Sequence, residues 1–255
     1  MDLSIIIVNY KSKVKLINCL DSIKQSDLLN INYEIIIVEN NSGDDLSDLN
    51  SSYKIIYSDK NLGMGGGNNL GLKHSTGAFV LISNPDIVYE KSTIQELLKY
   101  LKNNSQVGLL SPRLLNPDGS LQYSCVRFPK FYIPILRRTF VGNFFPKALN
   151  YYLMKNSGHD DIMEVDWILG ACLMTKNPQA DLFDERYFMY FEDVDLCRQI
   201  KLAGKKVIYY PLVQVIHDHI RASAQRPWYQ ALAKDSLARE HLRSAFKYFY
   251  KWRFK

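Results

Sequence analysis

The sequence carries chemistry-bearing groups in four places. Three acids fall close together at Glu192-Asp193-Val194-Asp195, directly after the aromatic run Tyr187-Phe188-Met189-Tyr190-Phe191. An aromatic wall beside a carboxylate keeps a general base positioned and partly dry. Helix capping is the alternative, because a helix N-terminus favours negative charge, and Arg198 could pair with one of the acids. Asn84-Pro85-Asp86 supplies one carboxylate after an apolar run, and hard divalent cations are held by one or two carboxylates plus substrate phosphates. A capped turn would use the same residue. His217-Asp218-His219 could give such a cation a neutral imidazole ligand, or form a surface pair. The segment from Asn61 to Gly71 is glycine-rich, and amides left free at a helix start suit an anion such as a diphosphate. A flexible turn is its other reading. Neither a dinucleotide fingerprint nor a Walker A loop fits, because Asn68 and Leu72 stand where Gly and Lys are needed.

These groups need strands and helices to bring them together. Leu3–Asn9, Glu34–Glu39, Lys54–Tyr57 and Phe79–Ser83 read as strands, the first two being continuous β-branched runs of the kind buried on both faces. Helices are expected over Lys13–Ser26, Asn69–Ser75 and Thr93–Lys102, which gives an α/β alternation and a parallel sheet covered on both sides. Asn9-Tyr10, Glu39-Asn40-Asn41-Ser42 and Asn84-Pro85-Asp86 then lie at strand carboxyl ends, where open parallel sheets gather ligands. Residues 112–165 are rich in Pro, Asn and aromatics and show no steady period. Beyond them come Val165–Thr175, a helix over Asp193–Ala203, a strand over Lys206–Tyr210 and a long C-terminal helix. The expected division is a nucleotide-binding half over 1–110, an acceptor and catalytic half over 111–220, and an amphipathic helix over 221–255.

At 255 residues the chain is one large domain or two intimate ones, at about 100–200 residues each. It is 47% hydrophobic and 23% charged, the balance of a globular protein. No apolar run approaches the about 18 residues that span a bilayer, and the N-terminus lacks a signal peptide's basic region. The protein is therefore expected to stay in the cytoplasm. Four scattered cysteines support neither zinc nor a redox pair. Residues 228–255 hold seven basic side chains against two acids, most of the net charge of +6. That argues against a nucleic-acid groove and for a tail that meets an anionic surface.

The ordered set Val8-Asn9-Tyr10, Glu39-Asn40-Asn41-Ser42, Asn61 to Gly71, Asn84-Pro85-Asp86, Val165-Asp166-Trp167 with Gly170-Ala171, and Phe191-Glu192-Asp193 with Asp195-Leu196-Cys197-Arg198 resembles bacterial family 2 glycosyltransferases. The Asn-Pro-Asp form, Arg127-Phe128-Pro129 and the basic aromatic tail resemble their rhamnosyltransferases, including those acting on N-acetylglucosaminyl-diphospho-undecaprenol. The resemblance implies a GT-A fold, a nucleotide-sugar donor such as dTDP-L-rhamnose, a divalent metal (Mg²⁺ or Mn²⁺) and inversion at the anomeric carbon. It implies donor contacts from Asn9, Tyr10, Glu39, Asn41, Gly63, Gly66, Asn68, Asn84 and Asp86. Glu39 would meet the base in a position where many members carry Asp. Asp86 would bind the metal with His217, and His219 is a further candidate. Asn84 replaces the first acid of the family's Asp-x-Asp. Asp193 would be the catalytic base, and Trp167, Gly170 and Glu192 would line the acceptor pocket.

The acceptor is expected to be a polyprenyl-diphosphate-linked saccharide on the cytoplasmic face of the inner membrane. Leu242, Ala245, Phe249 and Trp252 share one helical face, and Arg239, Arg243, Lys247 and Lys251 recur every fourth residue. Such a helix could lie on an anionic leaflet or pack on the body with a solvated basic face. A UDP-hexose donor is the main alternative, and a non-catalytic nucleotide-sugar scaffold a more distant one.

Overall fold

A computed structural model describes residues 1–178, 181–218 and 236–253. Its centre is a ten-stranded sheet in the order β3-β2-β1-β4-β11-β6-β12-β5. The first four are Lys54–Tyr57, Tyr33–Glu39, Leu3–Asn9 and Phe79–Ser83, all parallel to one another. β11 (Cys172–Lys176) is inserted antiparallel between β4 and β6 (Val107–Leu115), and β12 (Lys206–His217) returns parallel to β6. The edge strand β5 (Ile87–Tyr89) pairs antiparallel with β12. Short β7 (Leu121–Gln122) and β9 (Met163–Glu164) flank β6 and β12, and β8 (Cys125–Val126) pairs with β10 (Trp167–Ile168).

Side chains on β1 alternate between two cores, as pleating requires. Leu3, Ile5 and Ile7 join the core under α1 (Lys13–Lys24) and α3 (Thr93–Asn103), while Ile6 faces Leu72 of α2 (Gly63–Leu72) and Leu196 of α6 (Glu192–Leu202). Both faces are thus covered, as the apolar runs predict. All four cysteines are buried and free.

Several expectations change. The expected boundary at 110 falls inside β6, so the two halves share one sheet. The helix expected over Asn69–Ser75 begins at Gly63 instead, which makes the glycine-rich segment helical. Its glycines let α2 lie directly on β1: a Cβ at Gly71 would come within 2.5 Å of Ile6 Cγ2. The strand expected to stop at Tyr210 runs on to His217 past a register shift between Tyr210 and Gln214. The aperiodic stretch forms β7 and β8 and an excursion of α4 (Ile133–Arg138), a 3₁₀ turn (Phe140–Phe144) and α5 (Pro146–Tyr152).

The C-terminal helix α7 (Ser236–Trp252) packs on the body through Ala245, Tyr248 and Trp252, against Tyr187, Phe191 and Val194. Burying Tyr248 and Trp252, at about 200 Å² each and about 25 cal/mol/Å², is worth about 5 kcal/mol apiece before entropy. Lys251, expected on the solvated basic face, turns inward and pairs with Asp184 at 2.8 Å and the buried Asp195 at 2.7 Å. Leu242, expected on the packing face, is 40% exposed. The expected helix start at 221, the boundary at 220, His219 and Lys255 lie outside the described residues.

Candidate active site

A cavity of about 810 Å³ opens along the carboxyl ends of the parallel strands. Asp193 and Glu192 stand in its wall at the first turn of α6. The chain reaches that turn through two successive left-handed residues, Tyr190 (φ 68°) and Phe191 (φ 67°). For non-glycine residues each such conformation costs about 1–3 kcal/mol, held here by packing around the site. Asp193 Oδ2 accepts the N–H of Gly170 at 2.9 Å, and Oδ1 that of Val194 at 2.8 Å. A Cβ at Gly170 would sit 3.1 Å from Asp193 Cβ, so this position must stay small.

Burial raises both carboxyls, and the neighbouring Asp193 raises Glu192 further. The two amides favour the charged form of Asp193. Among the described residues, Glu192 Oε2 and Asn84 Oδ1 are buried without a hydrogen-bond partner, and both residues line the cavity, where the Trp167 indole stands beside Asp193 and favours its charged form. Protein interiors rarely leave such atoms unmatched, so the cavity suits a polar ligand. The two amides make Asp193 the better carboxylate of the pair, and Glu192, with an unmatched oxygen, the more readily protonated partner.

The second cluster is built by strand register. Ile87 of β5 lies opposite His217 at the end of β12, and the N–H of Asp218 donates to the Asp86 carbonyl at 3.0 Å. This sets His217 Nε2 3.4 Å from Asp86 Oδ1. His217 Nδ1 is 2.7 Å from Gln122 Oε1, a bond that fixes Nε2 as the lone-pair nitrogen of the neutral ring. A carboxylate oxygen and an imidazole nitrogen thus stand side by side in the cavity wall. No group of three His, Cys, Asp or Glu residues suited to a metal occurs among the described residues. The pair nonetheless fits a divalent cation completed by diphosphate and water, since such ions take one or two protein ligands plus phosphates.

The structure brings Tyr10, Gly63, Asn84, Asp86, Trp167, Gly170, Glu192, Asp193 and His217 to this one cavity. Asn9, Glu39, Asn41, Gly66 and Asn68 do not line it. Asn9 Nδ2 donates to Asp44 Oδ2 at 2.9 Å, and Asp44 caps α1 by accepting the N–H of Ser12. Glu39 Oε1 accepts from the backbone and hydroxyl of Ser42, Asn41 bonds the Asp59 carbonyl, and Asn68 bonds the Met64 carbonyl. Gly66 is buried within α2.

The free amides expected at the start of α2 are largely committed. The N–H groups of Leu62, Gly63 and Met64 donate to Asn40 Oδ1, Asn61 Oδ1 and the Phe188 carbonyl. Asn40, placed at a strand end by the sequence but given no role of its own there, also donates to the Gly63 carbonyl. Its signal was an amide immediately after a buried strand. Arg198 lies over the rings of Phe128, Tyr248 and Trp252, and the cation on Asp195 is Lys251.

Comparison with known proteins decides the family. A model described as Glycosyl transferase family 2 matches residues 4–157, more than half the chain. The chain belongs to glycosyl transferase family 2. This family 2 chain is 30% identical over 154 residues to the N-acetylglucosaminyl-diphospho-decaprenol L-rhamnosyltransferase of Mycobacterium tuberculosis, covering 58% of this chain and 50% of that one. It is 29% identical over 227 residues to the low-salt glycan biosynthesis hexosyltransferase Agl10 of Haloferax volcanii, covering 85% and 67%. Rhamnosyltransferase WbbL of Escherichia coli matches at 28% over 143 residues, covering 54% and 52%. The chain thus spans about half the length of the rhamnosyltransferases it matches.

The architecture is the GT-A fold. GalNAc-T7 with UDP, GalNAc and Mn²⁺ superposes with a TM-score of 0.66 at 12% identity, covering 86% of this chain and 44% of that one. TarS 1-349 of Staphylococcus aureus in complex with UDP gives 0.58 at 16%, covering 86% and 61%. Among the described residues no helix is long and apolar enough to cross a membrane.

Proposed function

We propose that this family 2 chain is an inverting glycosyltransferase that moves L-rhamnose from dTDP-L-rhamnose to a lipid-linked saccharide, N-acetylglucosaminyl-diphospho-undecaprenol being the favoured acceptor. The product would feed surface-polysaccharide assembly, such as O-antigen or capsule, at the cytoplasmic face of the inner membrane. The observation that carries this reading is one cavity with a buried carboxylate at its catalytic wall and a carboxylate–imidazole pair at its donor wall. The rhamnosyltransferase names of the mycobacterial and E. coli relatives support the sugar, and the mycobacterial name alone supports the lipid-linked acceptor.

In this mechanism Asp193 Oδ1 or Oδ2 takes the proton of the acceptor hydroxyl as its oxygen attacks the anomeric carbon from the face opposite the leaving diphosphate. The amides of Gly170 and Val194 hold that carboxylate in place. Glu192 offers an unmatched carboxyl oxygen to the sugars, and Trp167 lines the pocket beside the base. Asp86 and His217 would hold Mg²⁺ or Mn²⁺, which neutralises charge developing on the diphosphate. Inversion makes the product an α-L-rhamnoside when the donor is the β-linked sugar nucleotide.

A second donor class enters because a relative that aligns over 85% of this chain is named a hexosyltransferase. The deciding experiment incubates the protein with Mg²⁺ or Mn²⁺, a lipid-linked N-acetylglucosamine diphosphate analogue, and dTDP-L-rhamnose or UDP-sugars. A deoxyhexose mass increment with dTDP-rhamnose alone supports the proposal. An increment with a UDP-hexose moves the donor, and no product with any donor returns the scaffold reading.

A further inference from the structure

The helix expected to meet the membrane spends Trp252 and Lys251 on the protein body, and a second surface with the chemistry of a lipid contact lies beside it. Residues 121–158 contain no Asp or Glu and six Lys or Arg, although most of the net charge was assigned to the tail. The same stretch forms the α4–α5 excursion, which buries Ile133, Leu136 and Tyr152 but turns most of its aromatics outward. Phe131, Phe140, Phe144, Phe145 and Tyr151 are each at least half exposed, with Phe144 reaching 74%. Lys130, Arg137 and Lys147 are exposed among them. A patch this apolar on a folded protein marks an interaction surface. Aromatics interspersed with cations, and no anion, are the chemistry of an anionic membrane interface.

The position agrees with the composition. Ile135 of α4 and Leu242 of α7 line the active-site cavity, and both are substantially exposed. Phe246, one turn beyond Leu242, is 72% exposed. The aromatic surface therefore borders the cavity on the side of the expected acceptor pocket.

We infer that the α4–α5 excursion is a docking surface for an anionic lipid bilayer, holding the cavity against the leaflet that carries the acceptor. The role of docking rests on the function proposed above, whereas the binding itself can be read without it.

The test is co-sedimentation of the full chain with vesicles of equal parts phosphatidylglycerol and phosphatidylcholine, and with phosphatidylcholine alone. Two variants are compared with the wild type: Phe140→Ser/Phe144→Ser/Phe145→Ser, and Lys130→Glu/Lys147→Glu. The expected result is wild-type binding to the anionic vesicles and a loss of about tenfold or more in each variant, with unchanged thermal unfolding. Transfer to a short-chain water-soluble acceptor should persist in both variants while transfer to acceptor in vesicles falls. Wild-type protein that ignores anionic vesicles, or variants that bind as it does, would overturn the inference. So would a wild-type dimer in solution that the serine variant converts to monomer, since the face would then join two copies. A wild type that transfers to no acceptor would count against the proposed function alone, leaving sedimentation to decide docking.

Discussion

Trp252 donates its indole N–H to Asp195 Oδ1 at 2.7 Å, and both side chains are buried. Lys251 and Gln199 reach the other oxygen of the same carboxylate at 2.7 and 2.6 Å. The end of α7 is thereby fastened to α6 two residues beyond Asp193. A second fastening joins α7 to the strained approach to that helix, where the Ser244 hydroxyl donates to the Met189 carbonyl at 2.9 Å. The C-terminal helix is thus a brace behind the proposed base.

Removing the brace should cost both stability and turnover. Trp252→Ala deletes a packed aromatic and a hydrogen bond to a charged group, a loss of about 3–5 kcal/mol. Lys251→Met leaves a buried carboxylate short of its cation and should cost a similar amount. Chemical denaturation should show both losses. The less disruptive Trp252→Phe should retain the fold while lowering kcat more than donor affinity, because Asp193 is displaced and the donor wall is untouched.

Two glycines with similar backbones separate conformation from contact. Gly63 (φ 73°) and Gly119 (φ 79°) both lie in the left-handed region, where a Cβ costs about 1–2 kcal/mol. At Gly119 nothing lies within 4 Å of the added atom, whereas at Gly63 it would fall 1.8 Å from the Phe188 carbonyl oxygen. Gly119→Ala should therefore lower the melting temperature by a few degrees, about 2–4 °C per kcal/mol. Gly63→Ala should lower it much further and reduce donor binding by moving the loop. Equal melting temperatures in the two variants would show that the Gly63–Phe188 approach is not rigid.

Local patterns revealed the strands because Ile5–Val8 and Phe79–Ile82 are short apolar runs rich in β-branched residues, which suit a doubly covered sheet. They did not reveal that Gly63–Leu72 is helical, because glycine has poor helix propensity and the close approach to β1 that requires it is tertiary. Asp86 and His217 were each visible as candidates, but their pairing depends on the register of β5 against β12. The tail read as amphipathic, yet its buried face could not be chosen without knowing that Asp195 lay waiting for Lys251. The absence of acids between 121 and 158 was plain in the sequence, and only the outward aromatics give it meaning.

The proposed metal pair makes a binding prediction independent of turnover. Mn²⁺ titrated into protein with nucleoside diphosphate, followed by electron paramagnetic resonance, should show binding that Asp86→Ala abolishes and His217→Ala weakens by about 10–100-fold. Gln122→Ala should weaken it less, since that residue only orients the imidazole through Nδ1. Removing the metal with a chelator should abolish transfer, and Mn²⁺ should restore it. Mn²⁺ binding unchanged in Asp86→Ala would assign the metal elsewhere.

The carboxylate pair sets two opposite pH dependences. Burial raises Asp193 to about 6, and a base must be unprotonated, so transfer should fall as pH drops through about 6. Asp193→Asn should lose at least about 10²-fold in kcat at every pH while binding donor normally by calorimetry. Stability responds to Glu192, which burial and Asp193 push up to about 8 from about 4.3 in the unfolded chain. The folded protein therefore holds that proton more tightly than the unfolded one. Its contribution is complete at acidic pH and is lost as pH rises through about 8. Glu192→Gln keeps the shape and removes the titration. Melting temperatures of this variant should stay flatter than wild type between about pH 6 and pH 9, and the acidic limb of its transfer profile should remain near 6. Parallel melting curves in wild type and variant would mean that Glu192 is not the proton holder of the pair.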